Sequence, residues 1–365
     1  AARVLQGLGA AMMVGLSMAL IASVFAPGER GRVLGLTVAA VYLGLSVGPF
    51  VGGLLTHGFG WRSLFWTSVP LGLGISLLSL FLLAREQVPA QREPFDLPGA
   101  LLYGLALLLL MLGLGQMPSL PGGGLVLAGV LGLGLFGRWA ARCQHPVLDL
   151  TLFRTNRVFL FSSLAALTNY AATFAISFLL SLYLQSVGGY DPRQAGLILV
   201  TQPAVQSLLS PLAGRLSDRL EPRLVASAGM ACTVVGLVLL AGLGETPDLP
   251  YLTGCLLLLG LGFALFSSPN TNAVLGSVDR RSFGIASGIL ATMRLLGQML
   301  SMGVATLMLA LILGGAPVSA AVRAPFVLTM RLTFLLLAAC CLLGVFASLA
   351  RGSVHQPPAA GPARP

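Results

Sequence analysis

The sequence predicts an all-α, polytopic helical membrane protein with eleven spans. Three observations predict it. Of 365 residues, 56% are hydrophobic and only 9% charged, with a mean hydropathy of +0.92, whereas soluble domains carry about 25% charged residues. The apolar residues gather into runs near the ~20 residues that a helix needs to cross a bilayer. The arginines concentrate in every second connection between those runs, as the positive-inside rule requires of a correctly counted set of spans.

The spans read as 4–25, 31–56, 63–83, 99–117, 124–141, 157–186, 194–212, 223–243, 250–273, 283–314 and 326–350. One set of connections holds Arg30, Arg32, Arg85, Arg92, Arg138, Arg142, Arg154, Arg157, Arg215, Arg219, Arg223, Arg280, Arg281, Arg351 and Arg364. The other holds only Arg62, Arg193 and Arg323, and Arg3, Arg294 and Arg331 lie within or at the ends of spans. The richer set is assigned to the cytoplasm. The C-terminus is then inside and, with eleven spans, Ala1 is outside. An outside start without a signal sequence leads to the expectation of an odd number of upstream spans. The tail from Gly352, SVHQPPAAGPARP, has the composition of a disordered segment.

The formal net charge of +10 raises nucleic acid as a partner, but the arginines sit in short loops between apolar runs and point to topology instead. All 21 basic residues are Arg, a choice that no transport mechanism demands and that reflects genome composition. The five cysteines have no metal-ligand spacing, and the adjacent Cys340 and Cys341 cannot form an ordinary disulfide. A membrane enzyme would need clustered His, Asp or Glu, or a serine dyad at depth. The spans offer none, so neither an enzyme nor a cofactor or metal site is expected.

Within the second span, Gly44, Gly48 and Gly52 lie four residues apart and share one helix face. A face without side chains lets a second helix backbone approach, and Pro49 beside it removes one backbone bond and invites a kink. The arrangement reads as a hinge or seal between helices, or equally as ordinary close packing.

Gly214, Arg215, Leu216, Ser217, Asp218 and Arg219 read as a tight cytoplasmic loop. Gly214 would permit the turn. Asp218 would pair with an Arg or accept bonds from a helix N-terminus, making a latch; a solvated turn is the alternative. A weak internal echo, Glu29-Arg30 before Gly35 and Asp279-Arg280 before Gly284, suggests a duplicated architecture.

Intramembrane polar groups are the candidates for function. The acidic and histidine side chains all fall in loops or at span ends, which leaves no evident proton carrier. Arg294 lies well inside the tenth span, Arg3 at the start of the first, and Arg331 near an end where it can snorkel. Asn169, Tyr170, Gln202, Gln206, Asn270 and Asn272 are candidates to line a cavity, or to hydrogen-bond between helices. Asp96 reads as a helix cap before Pro98.

The spacing Gly35, Gly44, Gly48-Pro49, Gly52-Gly53 resembles the antiporter motif of the major facilitator superfamily, which in that family marks drug exporters and lies on the fifth helix. Arg3, Gln6, Gly7, Gly9 and Ala10 resemble its fourth-helix motif, whose Arg is linked to proton transfer. The Gly214–Arg219 segment is similar to the second-half copy of its cytoplasmic loop motif. Leu182-Tyr183-Leu184-Gln185, Gly189-Tyr190 and Ala195-Gly196 resemble the fourteen-helix drug:proton antiporter branch, as do Ser268-Pro269-Asn270 and then Gly288, Arg294 and Gly297.

The resemblance implies a two-half bundle. Residues 1–84 would be part of the N-terminal half, 85–145 an inserted pair of spans, 146–351 the C-terminal half and 352–365 a tail, with three helices, and the first-helix Asp used in coupling, expected upstream. It implies a monomeric, multi-pass protein of the inner (plasma) membrane that exports small hydrophobic or amphipathic compounds in exchange for protons by alternating access. Export of an endogenous metabolite or lipid, or a non-transporting membrane protein, are the alternatives.

Overall fold

A computed structural model describes residues 2–82, 96–144, 146–148, 150–314 and 322–352. Among the described residues there is no strand, and eleven helical spans are long and apolar enough to cross a membrane.

Three helices open the chain: α1 (Ala2–Val24), α2 (Pro27–Phe59) and α3 (Ser63–Leu82). A hairpin follows, α4 (Leu97–Gly115) and α5 (Leu120–Ala140). Asp96 caps α4 as expected, accepting from Gly99 N at 2.9 Å, and also accepts from Trp139 Nε1 at 3.1 Å. The Gly99 bond, aided by Trp139, holds its carboxyl below the usual carboxylate range despite burial. The remaining elements are a short α6 (Thr151–Thr155), α7 (Arg157–Thr173), α8 (Ala175–Leu182), α9 (Pro192–Leu199), α10 (Thr201–Arg219), α11 (Pro222–Leu240), α12 (Leu249–Gly276), α13 (Phe283–Leu313) and α14 (Arg323–Ala350). The tail from 353 onward and the connection 83–95 lie outside the described residues.

The sixth span is interrupted between α7 and α8. Ser301 of α13 accepts from Ala175 N at 2.9 Å and so satisfies a donor at the break. The span ends in a π-helical turn, Tyr183–Val187, within the Leu182–Gln185 string. Tyr183 is fully buried there and donates to the Gly244 carbonyl at 2.8 Å. Arg331 donates through Nε to the Ala241 carbonyl, tying the end of α14 to the end of α11.

Two apolar cores form. One lies within the C-terminal helices and includes Ile176, Leu179, Met230, Leu256, Leu259, Phe266, Phe326 and Phe334. The second joins all three parts of the chain at its arginine-rich end: Ala22 and Leu34 from α1 and α2, Phe136 and Ala140 from α5, and Phe159, Val274, Phe283 and Ile289 from α7, α12 and α13. That end is packed shut.

Candidate functional site

The shut end is built on small residues. Gly31 and Gly35 are four apart on α2, so they share a face. That face meets Ser210, Gly214 and Ser217 on α10. A Cβ placed on Gly31 would run into the Gly214 carbonyl, and one on Gly35 into the Ser210 carbonyl. Such backbone approach is what small-xxx-small faces allow.

Gly214 therefore does not serve the role the sequence suggested. Residues Gly214–Arg219 are not a loop: they form the last turns of α10, which continues to Arg219. Glycine is needed at 214 because a side chain would strike the backbone of Gly31, not because the chain turns there. A packed neighbour keeps the helix going where the hydropathy pattern predicted its end.

Asp218 then lands on the N-terminus of α2. Its Oδ1 accepts from Gly31 N at 2.8 Å and its Oδ2 from Arg32 N at 2.9 Å. Both donors are in the second turn of α2, its fifth and sixth residues, just past the first-turn N–H groups that lack a partner in their own helix; the charged acceptor makes both bonds charge-assisted. The carboxylate thus ties the end of α10 to the backbone of α2 near its start. Arg215 and Arg219 have exposed side chains on the same turns. Asn272 of α12 donates to Ser217 Oγ at 3.2 Å and to Asp218 Oδ1 at 3.4 Å, and Ser268 donates to the Gly31 carbonyl at 3.1 Å. Further along, Ser207 donates to the Ala39 carbonyl. Arg30 is buried, donates to the Phe25 carbonyl at 3.0 Å, and stacks 5.1 Å over the Phe283 ring of α13. The two echoed acidic-Arg segments meet at that stack.

Replacing Asp218 with Ala should open this end. Two hydrogen bonds to a charged acceptor are lost, each contributing about 1.5–3 kcal/mol. The population with the ends of α2 and α10 in contact should fall at least roughly 100-fold, since about 1.4 kcal/mol is one factor of ten. Spin labels on Glu29→Cys and Arg219→Cys, both exposed at the two helix ends, would report it as loss of the short-distance component. Asp218→Asn keeps an acceptor and should lose less.

About 16 Å along α2 from Gly31, at 1.5 Å per residue, Tyr42 lies among Tyr170, Arg294 and Gln206. The Arg294 guanidinium sits 5.4 Å from the Tyr170 ring centroid, in cation–π contact. Tyr170 also packs edge-on to Phe266, with centroids 6.4 Å apart. Gln206 is 1% exposed, and its Nε2, though beside Tyr42, makes no hydrogen bond of normal geometry. Asn169 is fully buried; its Nδ2 has no partner among the described residues, while its Oδ1 lies 4.0 Å from Cys341 Sγ. Four helices, α2, α7, α10 and α13, thus bring two tyrosine rings, one cation and the spare amide donor of Gln206 to one place, while Asn169 faces Cys341 of α14 instead. Gly297, one turn beyond Arg294, lets α13 close on the backbone of α7 at Leu167 and Ala171.

Asn270 and Asn272 do not join this cluster. Asn270 donates to the Ser162 carbonyl at 3.1 Å and Asn272 turns to α10, so both tie helices together at the shut end. Gln202 is half-buried where its backbone carbonyl faces Gly260. The side chains of Arg3 and Pro49 lie outside the described residues, and α2 runs unbroken through position 49. Of the glycines in the antiporter-like spacing, only Gly35 is packed against α10. A Cβ on Gly44, Gly48 or Gly53 would meet nothing within 4 Å, and one on Gly52 only Leu64 at 3.6 Å. The expected close packing of Gly44, Gly48 and Gly52 between the halves is not the packing of this conformation, in which α2 touches α10 along 31–39.

Sequence reasoning missed Gly31 and Tyr42, and named Ser217 and Ser268 only as members of motifs, without a contact of their own. The Gly31, Gly35, Ala39 series was a legible signal, small residues four apart ahead of the antiporter-like glycines. Nothing in the sequence alone shows that Ser268 and Asn272 reach α2 and α10.

The chain matches the Major Facilitator Superfamily sequence profile over residues 1–186 and 162–365. It is 30% identical over 295 residues to the riboflavin transporter RibZ of Clostridioides difficile, covering 80% of this chain and 64% of that protein. It is 32% identical over 310 residues to the multidrug resistance protein Stp of Mycobacterium tuberculosis, covering 83% and 57%. It is 30% identical over 312 residues to the methylenomycin A resistance protein of Bacillus subtilis, covering 83% and 66%. The chain thus spans somewhat under two thirds of the length of these relatives. A helical bundle shut at one end, with a polar-aromatic cluster deeper between its helices and this profile match along its length, belongs to the Major Facilitator Superfamily.

Proposed function

We propose that the protein is a secondary transporter that exports small hydrophobic or amphipathic compounds in exchange for protons, by alternating access. The observation that carries the reading is the lengthwise asymmetry of α2. Its first turns are clamped to α10 and α12 through Asp218, while its Gly44–Gly53 face stands open. Alternating access needs one end shut while the other is free, with the substrate site between them. The Tyr42, Tyr170, Gln206 and Arg294 cluster is our proposed substrate site. The arginine distribution supports placing the shut end and the C-terminus in the cytoplasm of a plasma membrane. The α4–α5 hairpin supports assignment to the fourteen-helix branch, and the resistance proteins among the relatives support drug export. Arg3 is proposed for proton transfer on the family resemblance.

Everted membrane vesicles with an imposed proton gradient test the reading. Uptake of a panel of lipophilic compounds that collapses with the gradient is expected, and gradient-independent behaviour for every compound would reject it. Arg294→Met should lower that uptake about tenfold, within the ~0.5–2 kcal/mol spanned by exposed and desolvated cation–π contacts, with membrane levels unchanged. Wild-type transport by that variant would remove Arg294 from the site.

The riboflavin transporter among the relatives favours one other reading, export of an endogenous metabolite. Expressing cells would then excrete a native compound while showing no change in drug resistance. Absence of any coupled flux from reconstituted protein would point instead to a non-transporting membrane protein.

A further inference from the structure

Arg351 directly follows the last helix, and the sequence counts it among the loop arginines that orient the chain. The structure buries it completely, and it is the bulkiest of the fully buried side chains. Its Nη1 donates to Ser162 Oγ of α7 at 3.1 Å and to Asn270 Oδ1 of α12 at 2.9 Å. Asn270 in turn donates to the Ser162 carbonyl, so the three residues close a triangle. Nε and Nη2 have no hydrogen-bond partner among the described residues. A buried cation bonded only to neutral groups is a poor means of gaining stability, and an apolar residue would fill the place at less cost. The charge of Glu221 offsets part of that cost, and that of Arg223 adds to it.

The geometry of α12 gives the arginine a different use. Successive residues on a helix turn by about 100°. Asn270 therefore faces one way, towards α7 and Arg351, while Ser268 and Asn272 face the other, towards α2 and α10. Ser268 reaches the Gly31 carbonyl and Asn272 reaches Ser217 and Asp218. Pro269 lies inside this segment, lacks an N–H, and interrupts the helical ladder. The segment Ser268–Asn272 is thus fixed from its two sides more than by its own hydrogen bonds.

We propose that Arg351 is a positioning residue for the closed end. Through Asn270 it sets the rotation of α12 at which Ser268 and Asn272 meet α2 and Asp218. This rests on the reading of that end as a latch. Opening the latch would roll the segment, and the Arg351 contacts resist the roll.

The test uses the full protein in nanodiscs, spin-labelled at Glu29→Cys and Arg219→Cys. Arg351→Met should reduce the short-distance population at least about fivefold, and Arg351→Lys, which keeps a charged donor, should recover part of it. Asn270→Ala cuts the same link from the other side and should match Arg351→Met, which covers the case that the latter fails to fold. In an Asn272→Ala, Ser268→Ala background Arg351→Met should have almost no further effect, because contacts in one chain are non-additive. Fully additive losses, or unchanged distances in both Arg351→Met and Asn270→Ala, would overturn the proposal. Asp218→Ala serves as the separate control: if it leaves the distances unchanged, the latch reading itself falls, whatever Arg351 does.

Discussion

Gly31→Leu should leave the protein in the membrane but lower the population closed at the arginine-rich end by more than roughly a hundredfold, and export with it. The atoms that a Cβ on residue 31 would meet are the Gly214 carbonyl, Asp218 Oδ1 and Ser217 Oγ. A backbone carbonyl has no rotamer into which to retreat, so the axes of α2 and α10 must separate. Overpacking alone costs about 1–3 kcal/mol. Separation also releases the two bonds to Asp218, about 1.5–3 kcal/mol each, and two factors of ten need only about 2.8 kcal/mol. The measurement is the Glu29–Arg219 spin-label distance together with vesicle uptake. A normal distance distribution in this variant would show that α2 and α10 do not need backbone contact to close.

Gly48→Leu should do the opposite. In this conformation nothing lies within 4 Å of a Cβ at 48, so the leucine fits and the Glu29–Arg219 distance stays short. If the Gly44, Gly48 and Gly52 face seals the far end in the alternate conformation, the same leucine blocks that closure. Uptake should then fall about a hundredfold, with insertion and latch unchanged, by the same overpacking logic. Normal efflux by Gly48→Leu would sink the seal. The pair is informative because the two glycines lie on one helix and the two leucines should trap opposite states.

Much of the fold was legible because membrane helices are specified by composition. A run of about twenty apolar residues has few alternatives in a bilayer, and the arginine distribution checks the count independently. Boundaries were less legible where tertiary contact overrides hydropathy. Residues 214–219 are polar enough to read as a loop, yet α10 continues through them because Gly31, Arg32 and Asn272 donate to Ser217 and Asp218 on that face. In the same way α2 begins at Pro27, four residues before the apolar run, with proline at its first position and its second turn held by Asp218.

The candidate site was legible by residue type and not by partner. Arg294 and Tyr170 stood out as polar groups at depth, and their contact across α13 and α7 depends on the close approach at Gly297. Asn270 and Asn272 stood out equally and proved to bind other helices. Two residues on a helix point about 200° apart, and sequence does not show which neighbour occupies either side.

Eleven runs long and apolar enough to cross a bilayer, basic residues gathered in every second connection and glycines suited to close helix contact could all be read from the residues alone. Local composition and period suffice for those properties, since the bilayer is a uniform solvent. Which glycines are in contact, that Asp218 bonds the second turn of α2, and that Arg351 is buried follow from the packing of the helices. Those depend on which helices are neighbours and how each is rotated, and many residues of similar chemistry could have filled either role.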